Sequence, residues 1–251
     1  AMASEELSHR YGDALWLTVG SENRMLPGAV VNDLLSKKLV DIKRKEGRQP
    51  TGRARKQIKD ELIADLLPRT FVKPSRFDAL VDIGTGVVAV DSSSRCSAES
   101  VINEIRRALG SFPATALTSE VEVRAVMSGW VSGEPLPEGL LLGAECELRD
   151  GTGAGGTVRV TDMGLHSDEI RQHLASGKHV TRLALLLDDR ISFVLGEDLV
   201  IRKFRLLDAA IEDLDPGEDE DMRAEHVARF ALIAGEFRRL FPIVLMRFCA
   251  A

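Results

Sequence analysis

Two helical repeats of apolar residues, separated by Pro50-Thr51-Gly52, constrain the fold of this chain more than any other feature. The first repeat follows Pro27, a favourable first helical residue, and should stop near Gly47. The second ends before Pro68, because a residue that precedes proline disfavours helical backbone angles. Apolar residues three and four apart predict one stripe on each helix. The stripes consist of Val30, Val31, Leu34, Leu35, Leu39 and Ile42, and of Ile58, Leu62, Ile63, Leu66 and Leu67.

The outer faces of these two helices carry a concentrated positive charge. Between Lys37 and Lys59 the chain has ten Lys or Arg residues and two acids, a local charge of +8, whereas the whole chain carries −6. Arginine can hold phosphate through two parallel N–H bonds, and the aromatic side chains that stack on unpaired bases are few here. The pattern favours phosphate contacts on a duplex without base recognition. The residues concerned are Arg48, Arg53, Arg55, Lys56 and Lys59.

Two other interpretations of the basic segment stay open from the residues alone. A positively charged helix face can simply be solvated, or it can dock a protein partner with an acidic surface. The compensating negative charge lies elsewhere, with eight acids between Glu212 and Glu225 around Pro216-Gly217. Such a like-charged run with proline and glycine predicts a solvated loop between two helices. An acidic exterior would repel DNA from all but a basic lining.

The rest of the chain mixes strand and helix patterns, which predicts an α+β fold with mixed or antiparallel sheets and flanking helices. We expect a central sheet region at 1–27 and 77–200, a basic helical region at 28–76 and a C-terminal helical region at 200–251. The predicted strands are 13–19, 77–91 around a Gly-Thr-Gly turn, 114–117, a hairpin at 143–160, and 179–204 turning at Asp188-Asp189. The predicted helices beyond the basic region are 98–109, 167–177 and two C-terminal ones, the last at 222–248.

Motifs that suggest cofactor chemistry fail on their context. GTGAGG at 151–156 fits a dinucleotide-binding pattern, but its glycines lead into the strand TVRV rather than into a helix, so we favour a hairpin turn. The Gly-Lys pair at 177–178 lacks the first glycine and the hydroxyl residue of a phosphate-binding loop. Lys178 instead fits a cation at the end of a helix.

Metal, disulfide and membrane signals are also weak. His166 and His173 are two helical turns apart, too far for one metal ion without a third element. The cysteines, Cys96, Cys146 and Cys249, show neither disulfide-framework nor zinc-site spacing. No apolar run has membrane-spanning length, and the first residues do not resemble a secretion signal. We therefore expect a cytoplasmic, non-enzymatic protein without a cofactor or a metal ion.

Long sequence blocks resemble the recombination-associated protein RdgC family and occur in the family's order. They extend over nearly all of the chain from Leu7 onward, and ungapped blocks of this length are more specific than the short motifs above. The blocks are RMLPGAVV (24–31), KDELIADLLPRTF (59–71), GVVAVDSSS (86–94), IRRALGSFP (105–113), GAECELRD (143–150), SDEIRQHLASGKHVTRLAL (167–185), RISFVLGEDL (190–199) and FRLLD (204–208).

The resemblance implies a dimer that closes into a ring around duplex DNA, binds it without sequence preference and restrains the RecA recombinase near the nucleoid. Arg48, within Glu-x-Gly-Arg, matches the arginine of the family's basic segment. Phe71 matches the aromatic residue at the ring-closing contact between subunits, although a core position is the alternative. The predicted DNA-binding set also includes Arg76, Arg159 and Lys178.

The sequence departs from the family pattern at two places. After Gly155-Gly156 the family offers lysine and glutamine to DNA, whereas this chain keeps Arg159 and has Thr161, Asp162 and Met163, and an aspartate would repel phosphate. The family's N-terminal segment, ahead of the region that GDALWLTV matches, has no counterpart here. If that segment supplies strands, a sheet edge would be exposed without it.

Overall fold

The fold is described from a computed structural model that covers residues 7–48, 50–151, 155–161, 164–165, 167–212 and 222–249. These residues form nine strands, seven α-helices and a 3-10 turn at Leu67–Arg69. The strands are Ser8–Tyr11 (β1), Ala14–Met25 (β2), Phe71–Asp82 (β3), Val87–Val90 (β4), Leu140–Asp150 (β5), Val158–Thr161 (β6), Lys178–Leu187 (β7), Ile191–Gly196 (β8) and Ile201–Leu206 (β9). The helices are Gly28–Glu46 (α1), Gly52–Leu66 (α2), Arg95–Leu109 (α3), Val123–Ser132 (α4), Asp168–Ala175 (α5), Asp208–Ile211 (α6) and Met222–Phe248 (α7).

The chain divides into two compact units, and the smaller one, Thr18–Phe77, is called the helical unit below. Its helices α1 and α2 pack against each other, and α1 buries Val31, Leu35 and Leu39, as the apolar spacing predicts. Val30 is exposed, contrary to its predicted place in the stripe, because it lies one position outside the arc that these three residues define. The apolar stripe of α2 is only half-buried.

The larger unit, residues 1–17 and 78–251, contains a five-stranded antiparallel sheet in the order β6-β5-β7-β8-β9. Leu183, Leu185 and Leu187 alternate along β7 and point to one face, where α4 and α7 cover them. The rings of Trp130 in α4 and Phe248 in α7 meet edge to face at 5.8 Å in this core. The opposite face of the sheet carries the intervening, mostly polar residues.

The four-stranded sheet has the order β1-β2-β3-β4, with β1 on β2 and β3 on β4 antiparallel. Its base packs on α7 through a second, smaller core of Ala14, Leu80, Phe230 and Ala234. Both long strands, β2 and β3, continue from this core into the helical unit. Among the described residues, no helix is long and apolar enough to cross a membrane.

The α+β class, with two antiparallel sheets, is confirmed, and three local predictions are wrong. Residues 114–117 form no strand, because the guanidinium of Arg106 takes up the carbonyl oxygens of Phe112 and Ala114. The strand predicted to begin at 77 begins at Phe71. The first C-terminal helix, α6, is a single turn.

The sequence interpretation also missed β1 and α4, and α4 is preceded by Val121-Glu122-Val123, which alternates like a strand. The hairpin at 143–160 is confirmed by the register that pairs Leu148 with Val158 and Glu145 with Thr161. The tip of GTGAGG, His166, Asp162, Met163 and most of the predicted acidic loop lie outside the described residues. All three cysteines are free thiols.

Candidate nucleic-acid interface

The helical unit is positively charged as a whole. Residues 18–77 contain 14 Lys or Arg and 7 Asp or Glu, a net charge of +7 in a chain whose total is −6. The acids within it are partly committed to local contacts, since Asp33 pairs with Lys37 at 2.8 Å and Glu61 accepts a hydrogen bond from Gln57 at 3.1 Å. The unit therefore presents an excess of cations to any polyanion that reaches it.

The connection between α1 and α2 concentrates this excess charge. Helix α1 ends at Gly47, whose φ of 69° lies in the left-handed region that favours glycine, and Arg48 follows it directly. Arg53, Arg55 and Lys56 follow in the first turns of α2, and all four side chains are exposed. Within the described part of the chain, none of the four forms a hydrogen bond or an ion pair. We call this group, Arg48 with Arg53, Arg55 and Lys56, the basic corner.

The start of α2 is electrostatically suited to an anion. A helix N-terminus carries a partial positive charge from its free N–H groups, and acids usually occupy its first turn. Here the first turn has no acid but two arginines, and the Thr51 side chain makes no capping hydrogen bond. Cations at this position repel the helix dipole, so the arrangement is costly to the isolated protein. A phosphate group would accept from the same N–H groups and neutralise the arginines.

Three predicted contact residues lie apart from the basic corner. Lys59 is half-buried, not on the outer face, because its position on α2 lies beside Leu62 and Ile63 of the apolar stripe. Arg76 is exposed on β3 within the helical unit. Lys178 is half-buried and opens β7 opposite Asp150, so its assignment to the end of helix α5 is wrong.

Phe71 is presented to solvent by a well-anchored turn. Its side chain is 89% exposed, which excludes the alternative that it is a core residue of this subunit. The guanidinium of Arg24 donates to the carbonyl oxygen of Leu67 at 2.8 Å, and the Thr70 hydroxyl donates to the same oxygen at 2.9 Å. One step further along β3, the hydroxyl groups of Ser21 and Ser75 are 2.7 Å apart. The turn therefore fixes the position of an exposed aromatic ring.

Arg159 lies in the larger unit, where it belongs to a cluster around Glu147. Its Nε donates to Glu147 Oε2 at 2.9 Å, and Arg149 and Arg182 also approach this carboxylate. Burial raises the pKa of Glu147, but the hydrogen bonds and charges of the three arginines together hold that pKa below its ordinary value. The sequence interpretation missed Arg149 and Arg182, although the two-residue period of β5 already placed Arg149 on the face of Glu147.

Potential metal and thiol chemistry is limited in the described residues. Among them, no group of three or more His, Cys, Asp or Glu side chains is close enough to hold a metal ion. Burial raises the pKa of the Cys146 thiol to about 11, so this thiol stays protonated at neutral pH. The described features with the clearest functional signature are therefore electrostatic.

Comparison with known proteins gives consistent matches along the chain. A protein-family model described as "Putative exonuclease, RdgC" matches residues 1–249. The chain is 59% identical over 240 residues to the recombination-associated protein RdgC of Xanthomonas axonopodis pv. citri, which covers 96% of this chain and 80% of that protein. It is 58% identical over 238 residues to the RdgC of Xanthomonas oryzae pv. oryzae, and 54% identical over 240 residues to that of Xylella fastidiosa.

The fold and the site together define an α+β protein with two antiparallel sheets and a compact, positively charged helical unit. The chain belongs to the RdgC family. This confirms the resemblance that the sequence blocks indicate.

Proposed function

We propose that the protein binds double-stranded DNA without sequence preference, encloses it as a dimeric ring and restrains RecA-dependent recombination at the nucleoid. The basic corner carries the proposal, because four exposed cations without partners in the described structure surround an uncapped helix start. The names of the relatives support a role in recombination. The finer steps, namely enclosure of the duplex and restraint of RecA, rest on the family resemblance.

The chemistry of the basic corner supports contacts to phosphate rather than to bases. Base edges are read by side chains that donate and accept in a fixed pattern, such as asparagine and glutamine. Gln57, the amide nearest to the corner on α2, donates to Glu61 instead. Arginine and lysine contacts to phosphate position a protein on the duplex but carry no sequence information.

A titration of random-sequence duplex over a salt series tests this proposal. Each neutralised phosphate releases counterions, so the logarithm of the affinity should fall linearly with the logarithm of the salt concentration, by about 0.9 per contact. The affinity should change little between duplexes of different sequence. Duplex binding that is insensitive to salt, or that follows one sequence, contradicts the proposal.

Phe71 is proposed to contact the same residue region of a second subunit, since an exposed aromatic ring on a fixed turn is typical of an interface anchor. Phe71→Ala should weaken self-association by at least about ten-fold, because burial of a phenylalanine side chain contributes about 1.5–3 kcal/mol. Sedimentation over a concentration series measures this change. Leu109→Ala, at an exposed leucine at the end of α3, is the matched control. Equal dimer fractions in the two variants would remove Phe71 from the interface.

The protein is proposed to act without turnover, although the family description names an exonuclease. We expect end-labelled duplex to remain full length after prolonged incubation with the protein and magnesium. A gel that resolves single nucleotides measures this directly. Loss of terminal nucleotides in proportion to protein concentration would replace the proposal with a nuclease function, provided that a basic-corner variant purified in the same way loses it too.

A further inference from the structure

The open face of the five-stranded sheet carries a second group of cations that the basic corner does not include. Arg159 on β6, Glu147 on β5 and Arg182 on β7 are directly opposite one another in the strand register. Arg149 lies two residues further along β5, on the same face as Glu147. Cys146 and Leu148 alternate with them and point into the core on the other face. We call Arg149, Arg159 and Arg182 the sheet cluster.

One buried carboxylate holds the whole sheet cluster. The Glu147 side chain is only 5% exposed, and its Oε1 accepts from Arg149 Nη2 at 2.8 Å. Its Oε2 accepts from Arg159 Nε at 2.9 Å and lies 3.6 Å from Arg182 Nη1. The side chains of the three arginines are 47%, 71% and 41% exposed. A guanidinium has five N–H donors, so each arginine keeps several of them available to solvent.

The charge balance distinguishes this cluster from its neighbours on the sheet. Arg202 is paired with Asp198 at 2.7 Å, and Lys203 is paired with Glu145 at 2.7 Å, so each cation has its own acid. In the sheet cluster, three guanidinium groups share a single carboxylate, which leaves a local charge of +2. Like charges on adjacent strands destabilise a sheet. An additional anion bound in front of the cluster would remove that repulsion.

We propose that the sheet cluster is a second phosphate-contact surface for duplex DNA, separate in sequence from the basic corner and built on a rigid sheet. This inference rests on the proposed DNA-binding function. The occupant is a phosphate backbone because planar guanidinium forks match phosphate oxygens in two-bond geometry. Side chains fixed on a central strand need less ordering on binding than side chains on a loop, which favours affinity.

The test removes charge from the cluster without leaving Glu147 unpaired. The double variant Arg149→Gln and Arg159→Gln keeps Arg182 beside the carboxylate, and glutamine retains N–H donors toward it. The control, Arg95→Gln and Arg107→Gln, removes the same charge from exposed pairs on α3. Thermal unfolding of both variants checks the fold. If the double variant fails to fold, Arg159→Gln alone is used, because it leaves two arginines on Glu147.

Binding of random-sequence duplex is measured from about 50 to about 200 mM salt. The double variant should lower the salt slope by about two units, so that its affinity loss over this range is about ten-fold smaller than that of the wild type. The control should keep the wild-type slope. A wild-type slope in the double variant overturns the sheet cluster as a DNA contact, while the basic corner can still account for binding. If the wild type binds no duplex, the proposed function itself fails; binding of poly-glutamate instead would assign the cluster to an acidic protein.

Discussion

Replacing Arg48, Arg53 and Arg55 with glutamate should lower the affinity for duplex DNA by more than about a hundred-fold at moderate salt. Each substitution removes a cation that has no partner in the described structure and puts an anion in front of the phosphates. The salt slope should also fall by about 2.7, which corresponds to three lost contacts. The three residues are exposed, so the free energy of unfolding should change by less than about 0.5 kcal/mol per site. Fluorescence anisotropy with labelled duplex measures both quantities.

A charge-matched variant separates a local contact from a general effect of net charge. Arg95→Glu, Arg107→Glu and Arg247→Glu make the same change in net charge on α3 and α7, at exposed residues of the larger unit. They should weaken duplex binding by no more than about three-fold, because exposed charges beyond a Debye length are largely screened. If both triple variants lose affinity equally, the basic corner has no special role. If neither does and only binding to an acidic protein is lost, the helices form a protein-docking surface.

The helical unit was largely predictable because its determinants are local. The spacing of Val31, Leu35 and Leu39 defines α1 within one segment, and Gly47 ends it through a backbone angle that other residues avoid. A charge excess needs no tertiary information, since it is read directly from composition. Exposure was harder to predict: an apolar residue such as Phe71 fits a core or an interface equally well until the neighbouring chain is placed around it.

The sheet cluster could not be predicted because it depends on strand register. Glu147, Arg159 and Arg182 come from three strands, and a shift of one residue in either pairing would move an arginine to the opposite face. The pairing of β5 with β7 also contains register irregularities, which no simple alternation anticipates. The two basic surfaces therefore differ in kind. One is encoded in a continuous segment, whereas the other exists only once the five-stranded sheet has formed.

Stability should depend strongly on Asp82, which joins the four-stranded sheet to α7. Its side chain is buried, and its Oδ1 accepts from Arg238 Nη2 at 3.2 Å and from the backbone N–H of Gly84 at 3.0 Å. Asp82→Ala leaves the turn after β3 without its acceptor and Arg238 without its partner. We expect a loss of about 2–3 kcal/mol in the free energy of unfolding, since a broken hydrogen-bonded charge pair costs this much or more. Thermal unfolding should shift downward by roughly 4–10 °C.

The pH dependence identifies the charge of Asp82 as the cause. The hydrogen bond from Arg238, against the opposing effect of burial, holds the pKa of Asp82 below its ordinary value. A carboxylate with a lowered folded-state pKa stabilises the fold above its unfolded-state pKa of about 4, and this contribution disappears as the pH falls through the folded-state value. Asp82→Asn keeps the turn acceptor but removes the charge, so its deficit relative to wild type should be full at neutral pH and shrink below about pH 4. Asp189→Asn, at an exposed turn aspartate, should cost less than about 0.5 kcal/mol at either pH. An Asp82→Asn deficit that is the same at neutral and acidic pH would mean that shape and hydrogen bonding, rather than the ion pair with Arg238, join the sheet to α7.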